Sequence, residues 1–298
     1  MSQLRALTRA EWMKLTRRPL TRGLLAVFLG VLALQSTVYA LAVVADRAGL
    51  IGLGGAFGPA QLEEYRRRAS FPGIVGAVFQ HVNGLGGVFA VILAGAAMGS
   101  EYDWGTLRTQ LCRTPDRAAF LVAKLTALLL LLLAAMLLAL GFGLGLGAVL
   151  GALVGGAGVP DAATLAAIPP ALARALFVLL PYVLLAVCLA TARGSMLAGV
   201  AGGLVYLVFE AGFGALAIFA ALGEPWRTLY GLTIGQNINS LTALNGHAFG
   251  LRPEVLAEGV RAATLPPAGQ ATIVVAAYCL VFLAVAVKCV RRDVAGGR

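Results

Sequence analysis

Glu210 is the one acidic residue that stands well inside a long apolar run of this sequence. An ionisable group in a hydrocarbon environment is costly, so it needs polar partners or a cavity, and it often marks a transport pathway. Counted along their runs at 1.5 Å per residue, Glu210 and His81 lie at comparable depths, so Gln80, His81 and Asn83 could meet Glu210. Two roles remain open for Glu210: hydrogen bonding between helices, or binding a substrate or a proton in a cavity.

Other residues that could do chemistry are few. Lys14, Lys124 and Lys288 are the only lysines, and none follows glycine in the pattern of a phosphate-binding loop. The two histidines stand alone, the four cysteines lack metal-ligand spacing, and no Ser/His motif typical of an intramembrane protease is apparent. We therefore predict that the chain is not an enzyme, with no catalytic residue, no metal site and no cofactor of its own.

The composition indicates a membrane protein. The 298 residues are 60% hydrophobic and 12% charged, whereas globular chains carry roughly 25% charged residues. A helix of about 20 apolar residues crosses a hydrocarbon core of roughly 30 Å. The predicted spans are 23–45, 72–100, 125–159, 175–192, 194–223 and 262–287. The predicted fold is all-α: a polytopic membrane protein with about six transmembrane helices.

The run 125–159 is longer than one span requires. As a straight helix it would measure about 50 Å, so it must protrude, tilt or break. Its glycines favour a break in the outer half. Gly143, Gly147, Gly151 and Gly155 also form a small-residue series with the spacing of close helix–helix contacts.

The distribution of lysine and arginine predicts the orientation. Most of them fall in the segments that are inside when both termini are cytoplasmic. The exception is the run Arg66, Arg67 and Arg68, which Glu63 and Glu64 can partly offset from one helical turn away. The net charge of +10 is thus concentrated on the inner face, where anionic membrane lipids explain it, and no nucleic-acid partner is predicted.

Two polar segments flank the first spans. Segment 1–19 is a candidate helix lying in the membrane interface, with Leu4, Leu7, Trp12 and Leu15 on one face that Glu11 interrupts. The alternative is a basic flank that only orients the first span. Segment 99–117 is predicted to be cytoplasmic: Gly105 ends the preceding helix, and "TLRTQL" forms a short amphipathic helix.

Two further features follow from local signals. In Thr114-Pro115-Asp116, Thr114 is the predicted N-cap and Pro115 the first residue of the third spanning helix. Segment 224–261 is the largest predicted outer loop. It is too polar to span and too apolar for a plain linker, so it suits short interfacial or re-entrant helices.

The polar segment carries a family resemblance. The run "GSEYDWGTLR" at 99–108, followed by Arg113, Pro115, Arg117 and Lys124, resembles the "G-E-x-x-x-G-T-L-R … P-x-R … K" loop of bacterial ABC type-2 exporter permeases. The stretch "AEWMKLTRRP" at 10–19 is similar to the interfacial entry helix of that family. Ser100, inserted between Gly and Glu, departs from the pattern. Outside these stretches the resemblance covers the chain in outline only.

The resemblance implies a permease subunit of an ATP-driven exporter in the bacterial inner membrane, with residues 1–298 forming a single transmembrane domain. Such permeases pair with a second copy or a sister permease, and separate cytoplasmic ABC ATPase subunits bind ATP and magnesium. The residues implied to couple this chain to the ATPase are Glu101, Gly105, Thr106, Leu107, Arg108, Arg113 and Arg117. The transported substrate is not indicated.

An ion-coupled secondary transporter that uses Glu210 is the alternative function. One buried acid can carry a proton, so the composition of the spans is compatible with it. That function does not account for the loop motif.

Overall fold

The computed structural model describes residues 2–49, 57–106, 116–156, 158, 161–215, 223–252 and 265–292. Within these ranges the chain is helical, with no strand, which confirms the predicted all-α class. The helices of the described ranges are α1 (Ser2–Arg17), α2 (Pro19–Arg47), α3 (Pro59–Ala69), α4 (Gly73–Asp103), α5 (Arg117–Leu153), α6 (Ala162–Arg193), α7 (Met196–Ala215), α8 (Trp226–Gly231), α9 (Ile234–Ala248) and α10 (Ala268–Arg292).

Five of these helices are long and apolar enough to cross a membrane: α2, α4, α5, α6 and α10. The remaining predicted span, 194–223, corresponds to α7, whose apolar part Met196–Gly212 is shorter than the other five. The described part of the chain is thus an α-helical membrane protein with five candidate spanning helices and a sixth, shorter apolar helix.

Helix α4 lies at the centre of the bundle. It packs most extensively against α6 and α7, and it also contacts α5 and α9. Glycines permit the close approach to α7: a Cβ atom at Gly95 would lie 2.7 Å from the backbone nitrogen of Val200, and one at Gly99 would overlap the backbone of Met196. By contrast, α2 and α10 expose large apolar side chains such as Leu34 and Ile273, which suits a lipid-facing position.

Helix α5 is continuous from 117 to 153, so no break occurs at the glycines within it; the helical part of the run 125–159 ends only at Val154 and Gly155, which has a φ of +66°. Its 37 residues measure about 55 Å, and the glycine series serves packing instead. A Cβ atom at Gly147 would lie 2.7 Å from Ile74, and one at Gly143 would overlap Val78. The predicted close helix contact is therefore confirmed for these two glycines.

The start of α5 differs from the prediction by two residues. Asp116, rather than Thr114, is the N-cap, because its carboxylate accepts hydrogen bonds from the backbone N–H groups of Ala118 at 2.9 Å and Ala119 at 3.0 Å. Asp is as good an N-cap as Thr, and its charge also favours the positive end of the helix dipole. Thr114 and Pro115 lie outside the described residues.

The arginine run of α3 is offset as predicted. Arg66 and Arg67 form ion pairs with Glu63 at 2.7 Å and 3.1 Å, and Arg68 pairs with Glu64 at 3.0 Å. The hydrogen bond from Arg66 and the nearby arginine charges hold the pKa of Glu63 at about 2, although burial opposes this shift. The net charge of this short helix is therefore much smaller than its sequence run suggests.

The predicted outer loop contains two short helices in its described part, α8 and α9, as its composition indicated. Helix α9 packs against α4, α6 and α10. The loop thus contributes a helix to the bundle rather than a loose connection.

Candidate functional site: an ionic cluster beside the polar segment 99–117

A buried ionic cluster joins three helices at one end of the bundle. Lys124 of α5 is only 1% exposed. Its Nζ donates hydrogen bonds to Glu11 Oε2 of α1 at 2.6 Å, to Glu101 Oε1 of α4 at 3.1 Å, and to the carbonyl oxygen of Ala97 at 3.1 Å. All three donor positions of the ammonium group are therefore used.

Lys14 completes the cluster from the more exposed side. Its Nζ lies 2.7 Å from Glu11 Oε1 and 3.2 Å from Glu101 Oε1. Partial burial lowers the pKa of Lys14, but the two carboxylates outweigh this effect and raise the pKa above its ordinary value. The ionic cluster, defined as Glu11, Lys14, Glu101 and Lys124, thus contains two positive and two negative groups and is neutral as a whole.

The ionic cluster explains why Glu11 interrupts the apolar face of α1. That face packs against α5, with Leu15 buried one turn further along. Glu11 is buried too, because it meets Lys124 there. The sequence reasoning did not single out Glu11, Lys14 or Lys124 as a set. The available signal was weak: a lysine at the start of an apolar run, and a Glu–Lys pair at helical spacing.

Arg18 forms a second link at the same end of the bundle. Its guanidinium donates to the Ser100 hydroxyl at 3.0 Å and to the Ala96 carbonyl at 3.3 Å. The same group lies 5.5 Å from the centre of the Trp104 ring, a cation–π distance. Ser100, the departure from the family motif, is therefore used as an acceptor, and Trp104 is 70% exposed.

The predicted coupling residues divide into those that the structure places and those that it does not describe. Glu101 belongs to the ionic cluster, and the Thr106 hydroxyl donates to its other carboxylate oxygen. Gly105 has a φ of +66° just after α4, which confirms the prediction that the helix ends there. Arg117 donates to the carbonyl of Arg291, linking α5 to the end of α10. Leu107, Arg108 and Arg113 lie outside the described residues.

Glu210 is held by three donors. Its carboxylate accepts from the hydroxyls of Tyr182 at 2.9 Å and Tyr206 at 3.2 Å, and from the backbone N–H of Gly235. Gly235 is in the first turn of α9, where Thr233 occupies the N-cap position without capping by its own side chain. Glu210 therefore caps α9 from a neighbouring helix, because its carboxylate accepts a hydrogen bond that the Thr233 side chain does not. The positive end of the helix dipole also favours an anion there.

The structure does not bring Gln80 and His81 onto Glu210, which corrects the expectation from their depths. Gln80 accepts from Arg68 at 2.7 Å, and the ring nitrogens of His81 lie 3.1 Å from the Phe28 carbonyl and 3.2 Å from the Gln35 amide. These contacts are on the α2 and α3 side of α4. Comparable depth does not decide which side chains meet, because the rotation of α4 about its axis directs Gln80 and His81 towards α2 and α3.

Asn83 differs from its neighbours. It is buried, and neither atom of its amide has a hydrogen-bond partner in the described part of the chain. It shares a stripe of α4 with Gly87, whose Cβ position would contact the ring of Tyr182 at 3.4 Å. Of the three polar residues on α4, Asn83 is thus the one on the side of the Glu210 partners.

A polar cavity of about 190 Å³ lies on the other side of α4. It is bounded by α2, α3 and α4, and its polar lining comes from Gln35, Ser36, Tyr39, Arg68, Gln80 and His81. The Arg68 guanidinium is 5.9 Å from the centre of the Tyr39 ring. The bonds of Arg68 hold α3 against the bundle. Gln80 and His81 thus line this cavity instead of contacting Glu210.

Comparison with known proteins adds no family assignment: no family model matches the chain, and no curated protein gives a significant match. The fold defines a class, an α-helical protein with several helices suited to cross a membrane. Within the described residues, no group of three or more His, Cys, Asp or Glu side chains could hold a metal ion.

Proposed function

We propose that the chain is the permease subunit of an ATP-driven exporter of the ABC type-2 kind. It would form the translocation path with a second permease subunit, and separate cytoplasmic ATPase subunits would bind ATP and magnesium. The observation that carries the proposal is the ionic cluster. It joins the two segments whose sequences resemble functional elements of that family, the entry helix at 1–19 and the coupling segment at 99–117.

The position of the ionic cluster suits the transmission of force. Glu101 lies near the start of the coupling segment, in the last turn of α4, and it pairs with Lys14 of α1. Lys124 follows the segment in α5 and pairs with Glu11 of α1. A partner that displaces the coupling segment would therefore move the ends of α4 and α5 together with α1. Such coupling requires rigid elements with fixed mutual contacts, which a buried and fully paired cluster supplies.

The bonding of Glu210 favours this function over an ion-coupled transporter. Three donors occupy its carboxylate, and one of them is the first turn of α9. A carboxylate that caps a helix has a structural reason to be in an apolar bundle. The Glu210 site therefore does not need a transported proton to explain it.

The coupling can be tested on the hydrogen bond between Thr106 and Glu101. The tagged chain would be produced together with an ABC ATPase subunit from the same genome, and the complex purified into lipid nanodiscs. We expect the ATPase to co-purify. We also expect that Thr106→Val reduces about tenfold the increase in the rate of ATP hydrolysis that the permease causes. The reason is that a hydrogen bond to a charged group contributes about 1.5 kcal/mol or more.

Thr228 provides a matched control, because its hydroxyl donates to Glu224 in the same way, four residues away in sequence. Thr228→Val should leave ATP hydrolysis unchanged. The proposal fails if no ATPase co-purifies, or if the two valine variants have the same effect.

A further inference from the structure

A second cavity, an apolar groove of about 270 Å³, opens between α1, α2, α4, α5 and α6. Its lining is almost entirely apolar and includes Phe28, Val82, Leu132 and Leu179. A smaller apolar cavity of about 150 Å³ in another protein stays free of water and takes up an apolar ligand. The lining of this groove therefore suits a hydrocarbon group rather than water or a polar solute.

The length of the groove corresponds to one leaflet of a bilayer. Along α4 its lining extends from Val82 to Leu93, about 16 Å at 1.5 Å per residue. The hydrocarbon core is roughly 30 Å thick. The groove begins at Trp12 and Thr16 of α1 and ends near the middle of the bundle. An acyl chain that enters from the leaflet beside α1 would fit this length.

The end of the groove at α1 carries polar groups without protein partners. Arg22 lines it and is exposed, and its guanidinium has no ion pair within the described ranges. Thr21 also lines it; its hydroxyl is buried and lacks a hydrogen-bond partner in the same ranges. A guanidinium and a hydroxyl together match the oxygen atoms of a phosphate group. Trp12 lies at the same rim, a position that tryptophan favours at a membrane interface.

We propose that this groove binds an anionic glycerophospholipid, with one acyl chain between α1, α2, α4, α5 and α6 and the phosphate on Arg22 and Thr21. The ionic cluster fixes α1 against α5, so this wall of the groove is formed before the lipid arrives, which reduces the cost of binding. The proposal concerns a lipid site and does not depend on the ATPase or on the exported substrate.

Fluorescence quenching of Trp12 tests the site. The full chain with Trp104→Phe and Trp226→Phe retains Trp12 as its only tryptophan. It would be placed in vesicles of equal parts phosphatidylglycerol and phosphatidylcholine, with bromine on the acyl chains of one lipid or the other. The overall composition is then identical in the two samples. We expect quenching to indicate about fivefold enrichment of the anionic lipid beside Trp12, the preference that one basic residue near the surface gives.

Two pairs of variants separate the site from general attraction to the membrane. Arg22→Gln should remove the preference, whereas Arg5→Gln, which removes the same charge from an exposed position of α1, should retain it. Ala135→Phe narrows the groove and should reduce quenching by the brominated anionic lipid, while Leu130→Phe, on an exposed part of α5, should not.

The proposal is wrong if the two brominated lipids quench equally in the parent chain, or if Arg5→Gln and Arg22→Gln have equal effects. Undiminished quenching in a folded Ala135→Phe variant would also contradict it, because the acyl chain of the lipid would then lie outside the groove. Relief of quenching by an apolar compound, without dependence on the lipid headgroup, would assign the groove to a solute instead.

Discussion

Lys124→Met should cause a large loss of stability, the largest expected from any one side chain of the ionic cluster. The change retains the apolar stem but removes the ammonium group that separates the buried carboxylates of Glu11 and Glu101. Breaking a buried ion pair by removing one partner costs about 3–5 kcal/mol. We expect a lower midpoint of thermal unfolding in detergent and faster trypsin cleavage within α1, whose exposed basic residues include Arg5 and Arg17.

Two comparisons show whether the loss comes from the ionic cluster. Lys288→Met removes an exposed lysine of α10 and should have little effect. Combining Lys124→Met with Glu11→Gln leaves one lysine and one carboxylate, so the double variant should be less damaged than the sum of the single losses. Equal behaviour of Lys124→Met and Lys288→Met would show that the cluster does not hold α1.

Glu210→Leu should cause a loss of stability nearly as large. It removes the carboxylate that caps α9 and leaves the hydroxyls of Tyr182 and Tyr206 without their acceptor. Loss of a cap costs about 1 kcal/mol. The unsatisfied hydroxyl of the buried Tyr182 costs about 1–3 kcal/mol more, and that of the half-buried Tyr206 costs less. We therefore expect a loss of stability of about 2–5 kcal/mol, measured by thermal unfolding of the purified chain.

Glu210→Gln distinguishes packing from transport chemistry. The amide keeps one acceptor oxygen for Tyr206 and Gly235, loses the charge, and replaces the oxygen that faces Tyr182 with an NH2 group, to which the Tyr182 hydroxyl can act as acceptor. Stability and ATP-driven export should therefore remain close to normal. Tyr206→Phe, which removes a single hydrogen bond to Glu210, provides a control of intermediate severity. Export that is lost in a folded, ATPase-binding Gln variant would contradict the capping role and place Glu210 in the translocation path.

The helical class and most helix positions follow from the sequence because long apolar runs of spanning length leave few alternatives. Local signals also succeed: Gly105 ends its helix at a positive φ, and the glutamates of α3 offset its arginines. These features depend on residues within one or two helical turns of each other. The exact start of α5 differed because Asp116 competes with Thr114 for the same cap.

The contacts between distant helices could not be predicted in the same way. Pairing of Glu11 with Lys124 spans 113 positions of sequence, and it depends on which face of α1 meets α5. The depth of Glu210 was predicted, but its partners depend on the rotation of α4 and on the position of α9. Sequence periodicity gives no rotation for a helix that is buried on most sides, as α4 is.

The most direct test of the proposed exporter function is a photo-crosslink from position 104. Trp104 is exposed, follows α4 without a gap and lies beside Arg18, so a photoreactive phenylalanine derivative there would be held at the base of the coupling segment. The same derivative at Leu229, an exposed position of α8, serves as the control on the predicted outer side. We expect an adduct with the ATPase subunit from position 104 and none from position 229. Absence of an adduct at 104 in a complex that still contains the ATPase, or equal adducts from both positions, would contradict the proposed function.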